Sequence, residues 1–178
     1  MGHRFLALKN FNSLCAVLGA LNSSPIHRLK CAWARVPEKQ LALFEDFKKI
    51  FVNTRNFRNF RTQFRNVSPP AIPYFGLFLQ DLVFIDDGNA SSIQHVNLKQ
   101  HGFMVNFNKC VRTMDRIKNG LAMYQKTPYH AVKAQRTLQK ILYQELHNMS
   151  KYGEDEIWNI STRVRDADQK AAGIKKKN

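Results

Sequence analysis

Helical periodicity constrains the fold of this chain more than any other feature. Apolar residues recur at three- and four-residue intervals through most of its length, and no stretch alternates long enough for a convincing strand. This spacing places the apolar side chains on one side of each successive helix. The sequence therefore predicts an all-α protein, and its 178 residues provide room for one domain.

Polar caps and prolines predict where the helices begin and end. Asn10 and Asn12 interrupt the first apolar stripe, which runs from Phe5 to Leu21. The segment Asn22–Pro25 supplies N-cap side chains and then a proline for a first turn. The predicted helices that follow are Asn22 to near Pro37, Glu38–Val52, part of Asn53–Val67, Tyr74–Phe84, Phe103–Gln125, Pro128–Leu146 and Glu154–Ala171, with a proline-rich break at Ser68–Pro73 and a polar linker to about Gln100.

The charge balance restricts the kind of partner. Lys and Arg number 28 against 13 Asp and Glu, so the net charge is +15. Such a surplus favours nucleic acid, anionic lipid or an acidic protein face, without choosing among them. The odd count of three cysteines shows no paired spacing, and the longest clean apolar run has eight residues, where a membrane span needs about twenty. We therefore expect a cytoplasmic protein.

No motif for covalent chemistry is present in the sequence. It has no glycine-rich phosphate loop, no hydrolase nucleophile motif and no zinc-binding histidine pair, and its six histidines are scattered. The sequence thus predicts no cofactor, no metal site and no enzyme of the covalent kind.

The segment Asn53–Val67 allows two interpretations. Its arginines and phenylalanines could bind phosphates and stack bases, as in a nucleic-acid surface. However, Phe57, Phe60 and Phe64 share one helical face, which favours an amphipathic helix with buried rings and solvated arginines.

Two adjacent carboxylates, Asp86 and Asp87, end an apolar helix just before Gly88-Asn89. Negative charge at a helix C-terminus opposes the helix dipole and costs about 0.3–1 kcal/mol for each residue. A glycine turn explains the sequence by itself, but an uncompensated charge there also favours a functional role.

Several blocks of the sequence resemble the catalytic domain of Ras guanine-nucleotide exchange factors. They follow the order and spacing of that family and cover about Phe5 to Met149. The most specific block is Leu79–Asn89, with Val105–Lys109 after it. The other blocks are Asn10–Ser13, Leu21–Leu29 with Trp33, Asn56–Arg61 and Pro69–Gly76.

This resemblance implies an irregular, orthogonal helical domain that promotes GDP release from a Ras-like small GTPase. A protruding helical hairpin, here Tyr74–Asp87 with Phe103–Gln125, would open the first switch region without covalent chemistry. Val83 is implied to face the metal site of the GTPase, and Asp87 to compete near its phosphate. The implied GTPase-binding positions are Asn22, Asn56, Phe57, Tyr74, Gln80, Phe84, Asn89 and Arg112.

The resemblance extends to only the C-terminal portion of that domain. Several N-terminal helices of the family have no counterpart before Met1, so residues 1–171 are expected to form the C-terminal portion and residues 172–178 a basic tail. Two alternatives remain open: a truncated relative that binds a small GTPase without exchange, and a basic helical module that binds RNA or lipid.

The basic tail predicts at most a weak membrane contact. Lys175, Lys176 and Lys177 would each contribute about 1 kcal/mol next to anionic lipid. The alternative is a disordered tail that adds solubility.

Overall fold

Helices dominate the structure, which confirms the all-α prediction. The computed structural model describes residues 1–94, 103–130, 132–149 and 152–171. A π-helical turn spans Lys118–Ala122. In chain order the helices are α1 (Gly2–Ala7), α2 (Phe11–Leu21), α3 (Ser24–His27), α4 (Lys30–Ala34), α5 (Glu38–Ile50), α6 (Arg58–Arg65), α7 (Phe75–Asp87), α8 (Phe107–Ile117), α9 (Met123–Gln125), α10 (Arg136–Asn148) and α11 (Glu154–Ala171).

A short antiparallel strand pair corrects the prediction of a purely helical and linker region after α7. Strand β1 (Ser92–Gln94) pairs with β2 (Phe103–Val105), and Ile93 lies opposite Met104. Both strands are exposed and three residues long, so they carry no alternating pattern that the sequence could reveal. The rest of the predicted linker, residues 95–102, lies outside the described residues.

Three helix boundaries also differ from the prediction. The helix expected from Asn22 to Pro37 is split into α3 and α4, and the Trp33 indole nitrogen donates to the carbonyl of Ile26 at 3.0 Å. The helix expected from Pro128 begins only at Arg136.

Phe57 lies before α6 because Arg55, Asn56 and Phe57 all adopt left-handed backbone angles, with φ of 50 to 55°. Asn10 interrupts the first stripe as predicted, since it lies between α1 and α2. Its side chain accepts a hydrogen bond from the Ser13 amide.

The chain divides into two compact units. The first unit contains Met1–Cys15 and Arg61–Tyr129, and the second contains Ala16–Phe60 and the described residues from His130 onward. Two of the three unit boundaries fall within α2 and α6, and the third lies between Tyr129 and His130. The predicted basic tail, including Lys175, Lys176 and Lys177, lies outside the described residues, and its assignment as a tail stays a prediction.

The core of the first unit is built around aromatic rings of α2, α6 and α7. The Phe64 ring meets Phe11 edge-on at 5.5 Å, Phe78 edge-on at 6.0 Å and Tyr124 at 5.1 Å between ring centroids. Phe11, Leu14, Leu77 and Phe78 are buried. Phe64 is half-buried and packs against these rings, which agrees with the amphipathic interpretation of its helix.

The second unit joins α3 and α4 to α11. The Arg28 guanidinium lies over the Trp158 ring at 3.9 Å and donates to the Thr162 hydroxyl at 3.1 Å. Within the same unit, the Trp33 ring stacks on Phe44, and the Phe51 ring stacks on Phe60, each with centroids 5.3 Å apart. Since Phe60 is also buried, these contacts favour burial of the rings over their presentation to bases.

Helix α10 has an exposed apolar stripe. Leu138, Ile141, Leu142 and Leu146 recur at helical spacing, and all four are exposed.

None of the described helices is long and apolar enough to cross a lipid bilayer.

Shortening Leu77 is expected to destabilise the protein. Its side chain is 1% exposed, so Leu77→Ala leaves a cavity in the first unit and lowers the free energy of unfolding by about 2–5 kcal/mol. Urea denaturation measures this loss. The matched control is Leu79→Ala on the same helix, where the side chain is 59% exposed and the loss stays below about 1 kcal/mol. Equal losses in the two variants would contradict the packing described here.

Candidate functional site

Helices α7 and α8 form an antiparallel hairpin whose tip carries the β1–β2 pair. We refer to α7, the strand pair and α8 together as the hairpin. Its cross-contacts follow antiparallel order: Asp86 contacts Lys109 near the tip, Asp81 contacts Arg116 further down, and Phe78 lies against Gly120 at the base. The predicted hairpin is therefore present, although its second helix starts at Phe107 instead of Phe103.

An ion cluster holds the hairpin against α6. Both guanidinium NH groups of Arg61 bind Asp81, at 2.9 and 2.6 Å, and Arg116 forms an ion pair with the same carboxylate. The Asp81 side chain is 16% exposed. Burial lowers the pKa of Arg116 and neighbouring Arg61 adds to this effect, while the Asp81 carboxylate opposes it. One carboxylate thus balances two cations in a half-buried setting.

The base of the hairpin is fixed by the Phe78 ring. The Arg116 guanidinium lies 4.0 Å from the ring centroid, a cation–π contact of about 0.5–2 kcal/mol. A Cβ at Gly120 would lie 2.6 Å from the ring, so only glycine fits there without a shift. Gly120 belongs to the π-helical turn, a feature often found where a helix adapts to a functional site.

Hydrogen bonds around Lys109 hold the tip of the hairpin. The Lys109 ammonium forms an ion pair with the Asp86 carboxylate at 2.6 Å and donates to the hydroxyl of Ser91 at 3.1 Å. The Asn106 side chain accepts from the Lys109 amide and donates to the carbonyl of Ala90 at 2.8 Å. The expectation of an uncompensated charge at Asp86 is therefore wrong, because Lys109 offsets it.

The two implied catalytic positions lie on the exposed side of α7. Val83 and Asp87 are four residues apart within one continuous helix and therefore share a face. Val83 is 53% exposed, its neighbour Phe84 is 55% exposed, and Asp87 is exposed. Among the described residues, the Asp87 carboxylate has no hydrogen bond or ion pair, in contrast to that of Asp86. An apolar patch is thus followed one turn later by an unpaired carboxylate.

Tyr74 lies at the start of α7 and is held by two neighbours. Its hydroxyl and the Cys15 thiol are hydrogen-bonded. A Cβ at Gly76 would lie 2.7 Å from the end of the Tyr74 ring, so glycine allows the ring to lie over the first turn of the helix. Burial raises the pKa of Tyr74, and burial also raises the pKa of Cys15.

The remaining predicted positions in the first unit are Gln80, Asn89 and Arg112. Gln80 is half-buried on α7. The Asn89 amide donates to the carbonyl of Ile85 at 2.8 Å, so this side chain also caps the end of α7. Arg112 is exposed on α8 between Lys109 and Arg116.

Asn22, Asn56 and Phe57 belong to the second unit. Asn22 is exposed directly after α2, and Asn56 is exposed before α6. Asn56 and Phe57 lie in the left-handed segment, where a non-glycine residue costs about 1–2 kcal/mol. Strained backbone of this kind is concentrated at functional sites, which is consistent with a binding role.

The sequence did not indicate the residues that position the hairpin. Arg61, Asp81 and Arg116 are distant along the chain, and each resembles an ordinary solvated charge in its own helix. Gly120 carried a weak signal, because a glycine within a helical pattern indicates close packing or a distortion. In the described residues, no group of three or more side chains is suited to hold a metal ion.

Comparison with known proteins identifies the family of the chain and agrees with its helical fold. The sequence model of the RasGEF domain matches residues 1–111. The chain is 32% identical over 157 residues to Ras-specific guanine nucleotide-releasing factor 2 of Mus musculus, covering 88% of this chain and 12% of the relative. It is 29% identical over 157 residues to Ras-specific guanine nucleotide-releasing factor 1 of Homo sapiens, covering 88% of this chain and 11% of the relative. It is 32% identical over 149 residues to guanine nucleotide exchange factor SDC25 of Saccharomyces cerevisiae, covering 79% of this chain and 11% of the relative.

These matches define the class of protein as a helical RasGEF domain. The chain belongs to the RasGEF domain family. It spans about an eighth of the length of the curated relatives that it matches.

Removing the Tyr74 hydroxyl is expected to raise the pKa of the Cys15 thiol further. The hydrogen bond lowers this pKa because it stabilises the thiolate, so in Tyr74→Phe the opposing effect of burial acts alone. The measurement is the pH dependence of Cys15 alkylation by iodoacetamide, in a protein carrying Cys31→Ser and Cys110→Ser. The midpoint should move to higher pH.

The control for this shift is Tyr129→Phe. The Tyr129 hydroxyl donates to the carbonyl of Leu8, so the variant loses the same group at a different place in the first unit. Its Cys15 midpoint should match that of the parent protein. A midpoint that stays or falls in Tyr74→Phe would contradict the Tyr74–Cys15 contact.

Proposed function

We propose that this chain accelerates GDP release from a Ras-like small GTPase. The observation that carries the proposal is the exposed face of α7. There Val83 and Phe84 form an apolar patch, and Asp87, whose carboxylate has no ion pair among the described residues, follows one turn later. Family membership supports the same activity, since the related proteins are named as guanine nucleotide-releasing or exchange factors.

In this mechanism the hairpin binds the open state of the GTPase more tightly than the nucleotide-bound state. By thermodynamic linkage, any preference for the open state lowers nucleotide affinity by the same free energy. Val83 would contact the region where the GTPase holds its metal ion, and Asp87 would repel the phosphate electrostatically. Tyr74, Gln80, Phe84, Asn89 and Arg112 of the first unit, with Asn22, Asn56 and Phe57 of the second, would bind the GTPase.

The exchange step requires no bond to form or break in this chain. Its contribution is to stabilise a nucleotide-free intermediate, which shifts a conformational equilibrium of the partner. Nucleotide release from purified Ras-, Rap- and Ral-type GTPases, loaded with fluorescent GDP, tests the activity directly. A GTPase that binds the chain but releases GDP at its intrinsic rate would support the alternative of binding without exchange.

Replacing Val83 with Asp should reduce exchange by at least about tenfold. The substitution places a charge in an apolar contact, and burying an unpaired charge is strongly unfavourable. The matched control is Val132→Asp, because Val132 is 52% exposed and belongs to the second unit, which does not contain the hairpin. Initial rates of GDP release compare both variants with the parent protein. Parental rates in a folded Val83→Asp protein would contradict the proposed contact.

Replacing Asp87 with Ala should have a smaller effect, about two- to fivefold. The carboxylate assists by repulsion, but opening the switch also depends on the apolar contact, so its removal leaves part of the activity. Asp46→Ala on α5 serves as the control, since it removes an exposed carboxylate from the second unit. A loss larger than that of Val83→Asp would reverse the assigned order of the two residues.

A further inference from the structure

The side of α7 opposite to Val83 is fixed by charge. Asp81 precedes Val83 by two residues, which turns its side chain about 200° away around the helix. There the carboxylate lies between Arg61 of α6 and Arg116 of α8. The cluster therefore lies behind the exposed face and contains none of its residues.

The three elements joined by Asp81 have different roles. Helix α6 contributes Phe64 to the core of the first unit, and α7 and α8 form the hairpin. Near the tip, the Lys109–Asp86 pair joins only the two arms of the hairpin. The bidentate contact of Arg61, by contrast, connects the hairpin to the core, and a bidentate guanidinium–carboxylate pair fixes direction as well as distance.

The π-helical turn is a second reason to expect that the residues around Arg116 determine the position of the hairpin. Arg116 is two residues before the turn and Gly120 is inside it, and both contact the Phe78 ring. The Nε atom of Arg116 is buried and has no hydrogen-bond partner among the described residues. The guanidinium is thus held by Asp81 and Phe78, so loss of the carboxylate leaves two facing cations, Arg61 and Arg116, without their shared anion.

We propose that Asp81 is a positioning residue for nucleotide exchange, which sets the orientation of the hairpin by binding Arg61 and Arg116 at once. The inference rests on the proposed function. It assigns a role to a residue outside the predicted contact surface, which acts on the GTPase only through the placement of Val83 and Asp87. Because a displacement of about 1 Å at a reacting site can lower a rate by about a hundredfold, loss of this constraint should slow the exchange step itself.

The test separates placement from loss of folded protein. The chain is used in excess over a GTPase loaded with fluorescent GDP, and release rates at increasing chain concentration give a limiting rate and a half-saturating concentration. A smaller folded fraction raises only the apparent half-saturating concentration. A misplaced hairpin lowers the limiting rate.

In this assay Asp81→Asn should lower the limiting rate by about tenfold or more. Asp81→Glu, which keeps the carboxylate, should recover to within about threefold of the parent protein. Asp46→Asn is the matched control, since Asp46 forms an exposed ion pair with Lys49 on α5, and its limiting rate should stay within about twofold. Amide hydrogen exchange should also be faster in α8 of Asp81→Asn and unchanged there in Asp46→Asn.

Two results contradict the inference, and they differ from failure of the proposed function. An unchanged limiting rate in Asp81→Asn, with an active parent protein, overturns the positioning role while leaving exchange activity intact. An equal loss in Asp81→Glu and Asp81→Asn also overturns it, because the carboxylate would then not be the deciding group. A parent protein that releases no nucleotide from any GTPase tested contradicts the proposed function itself, and this role with it.

Discussion

The burial of Phe78 is the interaction on which the first unit most depends. Its ring is 2% exposed, and it meets the Phe64 ring of α6, the Arg116 guanidinium of α8 and the backbone of Gly120. A closely packed interior allows only a few distinct arrangements of its side chains. A ring that contacts three elements therefore limits how these elements can move relative to each other. The π-helical turn belongs to this constraint, because it brings Gly120 against the ring just beyond the Arg116 contact.

Helix α7 packs against the first unit with one side and leaves the other side exposed. Leu77 and Phe78 are buried and Asp81 binds two arginines, whereas Val83 and Phe84 remain exposed. A helix that is held on one side can present apolar side chains on the other without collapsing onto the core. Such an arrangement suits a surface that must remain available to a partner, since contact groups are most effective when the scaffold behind them is rigid.

Local sequence patterns predicted the helices and breaks that depend on neighbouring residues. They did not predict contacts between residues that are distant along the chain. Periodicity and caps placed α11 at Glu154–Ala171, as the structure has it, and located the break at Asn10. The resemblance located the hairpin and the exposed positions on α7. The ion cluster at Asp81 was not predictable, because its partners lie in two other helices and a charged side chain has the same local pattern whether it is paired or solvated. The β1–β2 pair and the π-helical turn were missed because each is too short to generate a period.

The two carboxylates at the end of α7 differ in a way that only the structure shows. Both oppose the helix dipole, so the sequence alone gives no reason to prefer either. The structure separates them: Lys109 forms an ion pair with Asp86, and within the described part of the chain no side chain does the same for Asp87. Among the described residues, Asp87 thus keeps its charge without an ion pair, one turn beyond the exposed Val83. The two carboxylates differ in the partner that the fold gives them and not in their relation to the helix dipole, so their difference could not be predicted from the sequence.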